Sequence, residues 1–239
     1  MPFVFIGLLY IDMTEKQEIF TLMGGRVKIK RGRYNPTSDA VWLAAFPEKH
    51  PGTVLDVGIG TGGMALCLAS HMPDIEITGI DISQEMLDEC AVNFELNNKQ
   101  AELVCADIMT WKTDKTFDLV VSNPPYFKGT PAKHDAHHNA DLYSWTARCV
   151  ARVKPNGTFA TIVDAAAAAD VISAVNKHCG DIKVLPLFST QNTAERVLIS
   201  GIVGSHAGTK IFSGINMNNE AILRDGLTIR DYLTMLSEL

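Results

Sequence analysis

At 239 residues the chain is long for one small domain and short for two, and with 46% apolar and 20% charged residues it can fill a core. That excludes disorder and a disulfide scaffold. Its 21 Lys and Arg against 27 Asp and Glu give a net charge of −6, which excludes a surface that is basic all round but leaves room for a local basic patch. Five single cysteines, Cys67, Cys90, Cys105, Cys149 and Cys179, form neither a C-x-x-C pair nor a Cys/His metal set. They read as small buried hydrophobes of a reducing compartment, so a cytoplasmic location is expected.

The apolar stretch 1–11 is too short to span a membrane and lacks a basic start and a cleavage site, so no membrane association is expected. Met13, followed by polar TEKQE, is an alternative start that the intact mass would decide. A basic β-like segment follows over 24–34, then a helix near 39–46 that Thr37, Ser38 or Asp39 can cap. From Thr53 onward, apolar β-rich runs alternate with helical segments, the rhythm of an α/β fold with a parallel sheet and crossover helices on both faces. Strands are expected at 53–58, 76–81, 101–107, 117–123, 157–164, 182–188 and 195–203, with helices near 62–72, 83–97, 141–153 and 165–179.

Pro155-Asn156-Gly157 reads as a stop and turn. The last two strands have no helix between them, so they are expected to form an antiparallel hairpin at the edge of a seven-stranded sheet. A final helix is expected over 228–239. The whole reads as one domain over 1–239, with a basic extension and helix over 1–50, a core over 51–204 and a tail over 205–239.

VLDVGIGTGG (54–63) contains G-x-G-x-x-G at Gly58, Gly60 and Gly63, and Asp81 closes the next strand. Glycines let the backbone turn sharply and approach a ligand, and a strand-end carboxylate can hold ribose hydroxyls. Both a nicotinamide dinucleotide and S-adenosylmethionine use those features. Asp56 favours the second, because a carboxylate two residues before Gly58 suits a cationic amino-acid end and repels a pyrophosphate. Gly58, Gly60, Gly62, Asp56, Asp81 and the following Ile82 are the candidate cofactor contacts. Asp107, with Ile108 behind it, ends the third strand and fits either an adenine contact or an ordinary surface carboxylate.

The fourth strand runs into Asn123-Pro124-Pro125-Tyr126. The motif resembles that of methyltransferases acting on amide-like or aromatic-amine nitrogens, and such an exocyclic nitrogen shares its lone pair with the ring and is a poor nucleophile, so its geometry matters more than a strong base. The Asn123 side-chain oxygen and the Pro124 carbonyl are two acceptors for its two hydrogens, the prolines hold the turn rigid, and Tyr126 can stack on a base. Asn123 also faces the cofactor crevice. His134, His137 and His138 follow in a polar stretch that reads as a lid or solvated loop, and no metal site is expected.

N-P-P-Y in this setting resembles class I methyltransferases that modify amide-like or aromatic-amine nitrogens. Within that class the chain resembles the small bacterial tRNA adenine-N6 methyltransferases acting on the adenosine 3′ of the valine tRNA anticodon. The residues that carry the likeness are GRY (32–34), SDAVWLAA (38–45), DVGIGTGG (56–63), GIDI (79–82), ADI (106–108), NPPYF (123–127) and EAILR (220–224), and it covers roughly 20–225. It implies a Rossmann-like class I methyltransferase fold, S-adenosylmethionine as cofactor, tRNA as partner, and closure of Tyr34 and Thr37 over the methionine end. Capping a helix is the alternative for Thr37. Glutamine N5-methylation of a release factor, guanine-N2 methylation of rRNA and a nicotinamide oxidoreductase remain as alternatives.

Arg26, Lys28, Lys30, Arg31 and Arg33 lie in GGRVKIKRGR (24–33) with no acid among them, which leaves 16 basic against 27 acidic residues and a net −11 on the other 229. Beside a base-modifying crevice this strip, with Lys128 after the motif, is the expected phosphate contact.

Overall fold

The computed structural model describes residues 19–32, 34–47, 52–124, 135–189 and 192–237. A hairpin of β1 (Ile19–Leu22) and β2 (Val27–Lys30) comes first, then α1 (Ser38–Ala44). The alternating series follows as β3 (Thr53–Val57), α2 (Gly63–His71), β4 (Glu76–Asp81), α3 (Gln84–Leu96), β5 (Glu102–Cys105), β6 (Phe117–Ser122), α4 (Asp135–Val150), β7 (Val153–Asp164), α5 (Ala168–Val175), β8 (Cys179–Phe188) and β9 (Arg196–Val203). Two short strands, β10 (Lys210–Ile211) and β11 (Ile215–Asn216), and two helices, α6 (Glu220–Leu223) and α7 (Ile229–Ser237), complete it.

The seven expected strands line up in the order β8-β9-β7-β6-β3-β4-β5. All their pairings are parallel except those of β9, which runs antiparallel to both β7 and β8. The expected hairpin of the last two strands is present, but it is not the bare edge, since β10 and β11 add to β8. Strand side chains alternate between two apolar layers, as a period of two requires. Val54, Ile77, Leu119 and Ile162 face α1, α2 and α3, while Leu55, Ile80, Val120 and Phe159 face α4 and α5. Helices thus cover both faces.

Several expectations change in detail. The strand β7 absorbs Pro155-Asn156-Gly157 as a bulge: its register on β6 jumps from Phe117↔Val153 to Leu119↔Thr158, with Asn156 at φ 64°. The helix expected at 141–153 starts at Asp135, so His137 and His138 belong to α4 and not to a loop, while His134 lies outside the described residues. The helix expected at 165–179 opens with a 3-10 turn over Ala165–Ala167 and ends at Val175. Cys105 is exposed, whereas the other four cysteines are buried as expected.

The segment after β9 packs into the core. Trp42 of α1, fully buried, donates its indole N–H to the Met217 carbonyl at 3.2 Å, and Ile229 N–H reaches the Ala45 carbonyl at 2.9 Å. Ile215, Ile222 and Ile229 join the same apolar layer as α1. Trp42→Ala removes a large ring and one hydrogen bond together, and it is expected to lower the unfolding free energy by about 3–5 kcal/mol. The midpoint of a urea titration checks this, and a loss below about 1 kcal/mol would contradict that packing.

Candidate active site

The carboxyl ends of β6, β3, β4 and β5 lie side by side, where an open parallel sheet binds its ligands. The strand order reverses between β3 and β6, so the glycine loop after β3 and Asn123 after β6 lie side by side, with Val57 opposite Ser122. Asp56 is 2% exposed and its Oδ2 has no hydrogen-bond partner. Burial pushes its carboxyl well above the usual carboxylate range, and the Asp81 charge adds to the shift. Thr61 Oγ1 and Asn123 Oδ1 are likewise buried and unpartnered. Buried polar atoms are almost always bonded in folded proteins, so three orphans, one near the end of β3 and two just after β3 and β6, mark a place shaped for a polar ligand.

The loop's conformation follows from its glycines. Gly60 has φ 53°, its N–H bonds Asp81 Oδ2 at 3.0 Å, and a Cβ there would meet nothing within 4 Å, so that backbone faces open space. Gly62, at φ 84°, caps α2, and a Cβ would come within 2.8 Å of Cys90 Sγ and 2.9 Å of the Phe94 ring. Asp81 also accepts from Ser83 N–H at 2.9 Å, leaving further lone pairs on both oxygens. Ile82 beside it is 73% exposed, an apolar side chain in water at the rim of the crevice.

The end of β6 is braced by a network that the sequence reading did not anticipate. Ser122 donates to the Val57 carbonyl at 3.0 Å and accepts from the Trp145 indole N–H at 3.0 Å, while Thr161 donates to the Ser122 carbonyl at 2.7 Å. The Trp145 ring lies 3.7 Å from where a Gly58 Cβ would stand. One indole therefore bonds the end of β6 and stands beside the start of the glycine loop. The signal for it, a tryptophan on the helix after the motif, is too generic to have been singled out.

Asp107 is exposed and accepts from Met109 N–H at 2.9 Å, while Ile108, 2% exposed, is built into the apolar layer under α4. Thr37 occupies the cap position of α1 without bonding it, so its exposed hydroxyl is not used as a cap. Tyr34 is about half exposed, and its partial burial and then the Asp39 charge raise its pKa. Asp39, 4% exposed, meets Arg196 Nε at 3.2 Å, and Arg196 also reaches Asp164 at 3.3 Å. Burial pushes the Asp39 carboxyl up, and the guanidinium opposes the shift.

In the basic strip, Lys28 and Lys30 are exposed on β2 with Arg31 after them, its guanidinium 5.5 Å from the Phe20 ring. Arg26 is placed differently: its guanidinium donates to the carbonyls of Asp225 at 2.7 Å and Gly226 at 3.3 Å, fastening the hairpin to the C-terminal segment. Pro125, Tyr126, Lys128 and Arg33 lie outside the described residues. Among the described residues no cluster of three His, Cys, Asp or Glu could hold a metal ion, and no helix is long and apolar enough to cross a membrane.

A family model described as methyltransferase small domain matches residues 35–186. A tRNA1(Val) (adenine(37)-N6)-methyltransferase of Glaesserella parasuis is 34% identical over 118 residues, 46% of this chain and 50% of that protein. A release factor glutamine methyltransferase of Streptococcus pneumoniae is 46% identical over 74 residues, 31% of this chain and 26% of that protein. The chain thus spans half or less of the length of these two relatives. A solved predicted O-methyltransferase of Agrobacterium tumefaciens superposes with a TM-score of 0.63 at 22% identity, covering 75% of this chain and 88% of that one, which shows a shared fold. With the glycine loop, the strand-end acids and Asn123 all inside the matched span, the chain belongs to the methyltransferase small domain family.

Proposed function

We propose that this chain is an S-adenosylmethionine-dependent methyltransferase that acts on N6 of an adenosine in tRNA, the anticodon-loop adenosine just 3′ of the anticodon of valine tRNA. The observation that carries the reading is the buried, unpartnered Oδ1 of Asn123, on the strand end next to β3 and its unpartnered Asp56 Oδ2. It is an acceptor held ready for an amino hydrogen next to an acid held ready for a cation. The tRNA1(Val) methyltransferases among the relatives support the choice of acceptor.

S-adenosylmethionine, when bound, supplies an electrophilic methyl group on a sulfonium. The residues present fit it. Asp56 would face the cationic amino-acid end, with Tyr34 and Thr37 closing over it; Gly58, Gly60 and Gly62 would let the backbone approach, Asp81 would take the ribose hydroxyls, and Ile82 and Asp107 would flank the base with the buried Ile108 backing them. Asn123 Oδ1 and the Pro124 carbonyl accept the two amino hydrogens, which localises the nitrogen lone pair toward the methyl group. Positive charge growing on that nitrogen strengthens both bonds, so the stabilisation is largest at the transition state. Pro125 and Tyr126 complete the motif, the prolines by rigidity and the tyrosine by stacking on the base. Lys28, Lys30, Arg31, Arg33 and Lys128 meet phosphates, and an anticodon-loop base costs less to splay out than a paired one. We place this activity in the cytoplasm, on one domain.

The second reading is glutamine N5-methylation of a release factor, favoured by the 46% identity with a relative of that name. A primary amide offers the same two hydrogens to the same two acceptors. Incubation with labelled methyl donor and separate pools of tRNA, rRNA, DNA and release factor decides between them. Label is expected in tRNA; label in release-factor glutamine with none in RNA would overturn the first reading. Asn123→Ala is expected to abolish transfer while leaving S-adenosylhomocysteine binding within about twofold, and retained activity would contradict the assigned mechanism.

Asp56 yields a prediction in the free protein. Its folded pKa is raised, so its protonated form is the one the fold favours. That contribution is complete below the unfolded carboxylate value of about 3.9 and is lost as pH rises through the raised folded value. Asp56→Asn keeps the shape and cannot ionise. Its melting temperature is expected to gain on the wild type between pH 5 and pH 8, while S-adenosylhomocysteine affinity falls roughly 10- to 100-fold, as for loss of a charge-assisted hydrogen bond. Equal melting curves at both pH values would contradict a buried, costly carboxyl.

A further inference from the structure

Asn93, on α3 and only 1% exposed, spends both ends of its amide on different parts of the molecule. Its Oδ1 accepts from the backbone N–H of Lys30 at 2.8 Å, and its Nδ2 donates to the backbone carbonyl of Thr61 at 2.9 Å. One turn further on, Asn97 accepts from Lys28 N–H at 2.9 Å and donates to the Lys28 carbonyl at 2.7 Å. Asparagines four apart share one helix face, and these two take the place of a neighbouring strand along an edge of β2. Only Asn93 also reaches the glycine loop.

An amide is planar and rigid, so Asn93 cannot follow Thr61 without drawing on Lys30. Thr61 lies between Gly60, whose N–H bonds Asp81, and Gly62, whose close packing on Cys90 and Phe94 seats the loop on α3. Lys30 stands in a strand whose Val27 and Ile29 are buried and whose lysines point outward. We propose that Asn93 is a positioning residue that couples the glycine loop to the basic strand, so that filling the loop orders the strand that meets RNA. The proposal rests on the reading above and adds to it a route between the two binding surfaces.

Amide hydrogen exchange of the full chain, read residue by residue with and without S-adenosylhomocysteine, tests it. In the wild type the ligand is expected to slow the Lys30 amide by roughly fivefold or more beyond any slowing in β8, which global stabilisation would share equally. Asn93→Asp keeps an acceptor for Lys30 and loses the donor to Thr61, so the extra slowing is expected to vanish while calorimetry still reports binding. Asn97→Asp disturbs the same strand without touching the loop, and there the extra slowing is expected to persist. Binding without extra slowing in the wild type, or extra slowing that survives Asn93→Asp, would overturn the coupling alone. If calorimetry shows no binding to the wild type, the methyltransferase reading falls with it.

Discussion

A carboxyl group sealed inside a protein with an oxygen unpaired costs on the order of 1–3 kcal/mol, and Asp56 is such a group at the centre of the sheet. It cannot escape, because β3 is paired on both sides, with Asp56 opposite Gly79 on β4 and Val121 on β6. The opposite edge of the sheet shows what a satisfied acid looks like. Asp118 accepts from the Thr53 N–H and hydroxyl and from Lys154, with the Thr53 amide foremost in holding its carboxyl below the usual range. The molecule therefore satisfies its acid at one edge and leaves one wanting at the other.

The rest of the site is arranged around that edge. Trp145 and Thr161 fix Ser122 and through it the position of Asn123, while Arg196 ties Asp39 of α1 to Asp164 at the end of β7. The C-terminal segment holds α1 through Trp42 and holds the hairpin through Arg26. Stability at this edge is thus supplied from a distance, by Trp42, Trp145 and the Arg196 ion pairs, while the buried orphaned oxygens stay without partners. That division is the usual relation between a rigid scaffold and a site whose groups are kept short of partners.

Most of the strands and crossover helices were legible in the sequence because short apolar β-rich runs, buried on both faces, and a glycine loop are local signals. Asn156-Gly157 was legible as a turn, but only the partner strand decides that a turn becomes a bulge inside β7. The two-residue strands β10 and β11 have no periodicity to read. In the site, Asp56, Asp81 and Asn123 stood out by position, whereas Thr61 is an ordinary residue until its hydroxyl is found buried. Arg26 and Lys28 look alike in a basic run, and only the fold shows that one guanidinium is bonded to the 225–226 turn. Asn93 on a polar helix gives no sign that it faces inward.

If Asp56 is the residue that meets the cationic end of the methyl donor, binding must favour the ionised form of a carboxyl whose ionisation burial disfavours in the free protein. Calorimetry of S-adenosylhomocysteine binding, repeated in buffers of different ionisation enthalpy, counts the protons exchanged. The account predicts net proton release that shrinks as the pH is raised and is absent in Asp56→Asn. Binding that releases no protons at any pH, with the same affinity in Asp56→Asn, would contradict it.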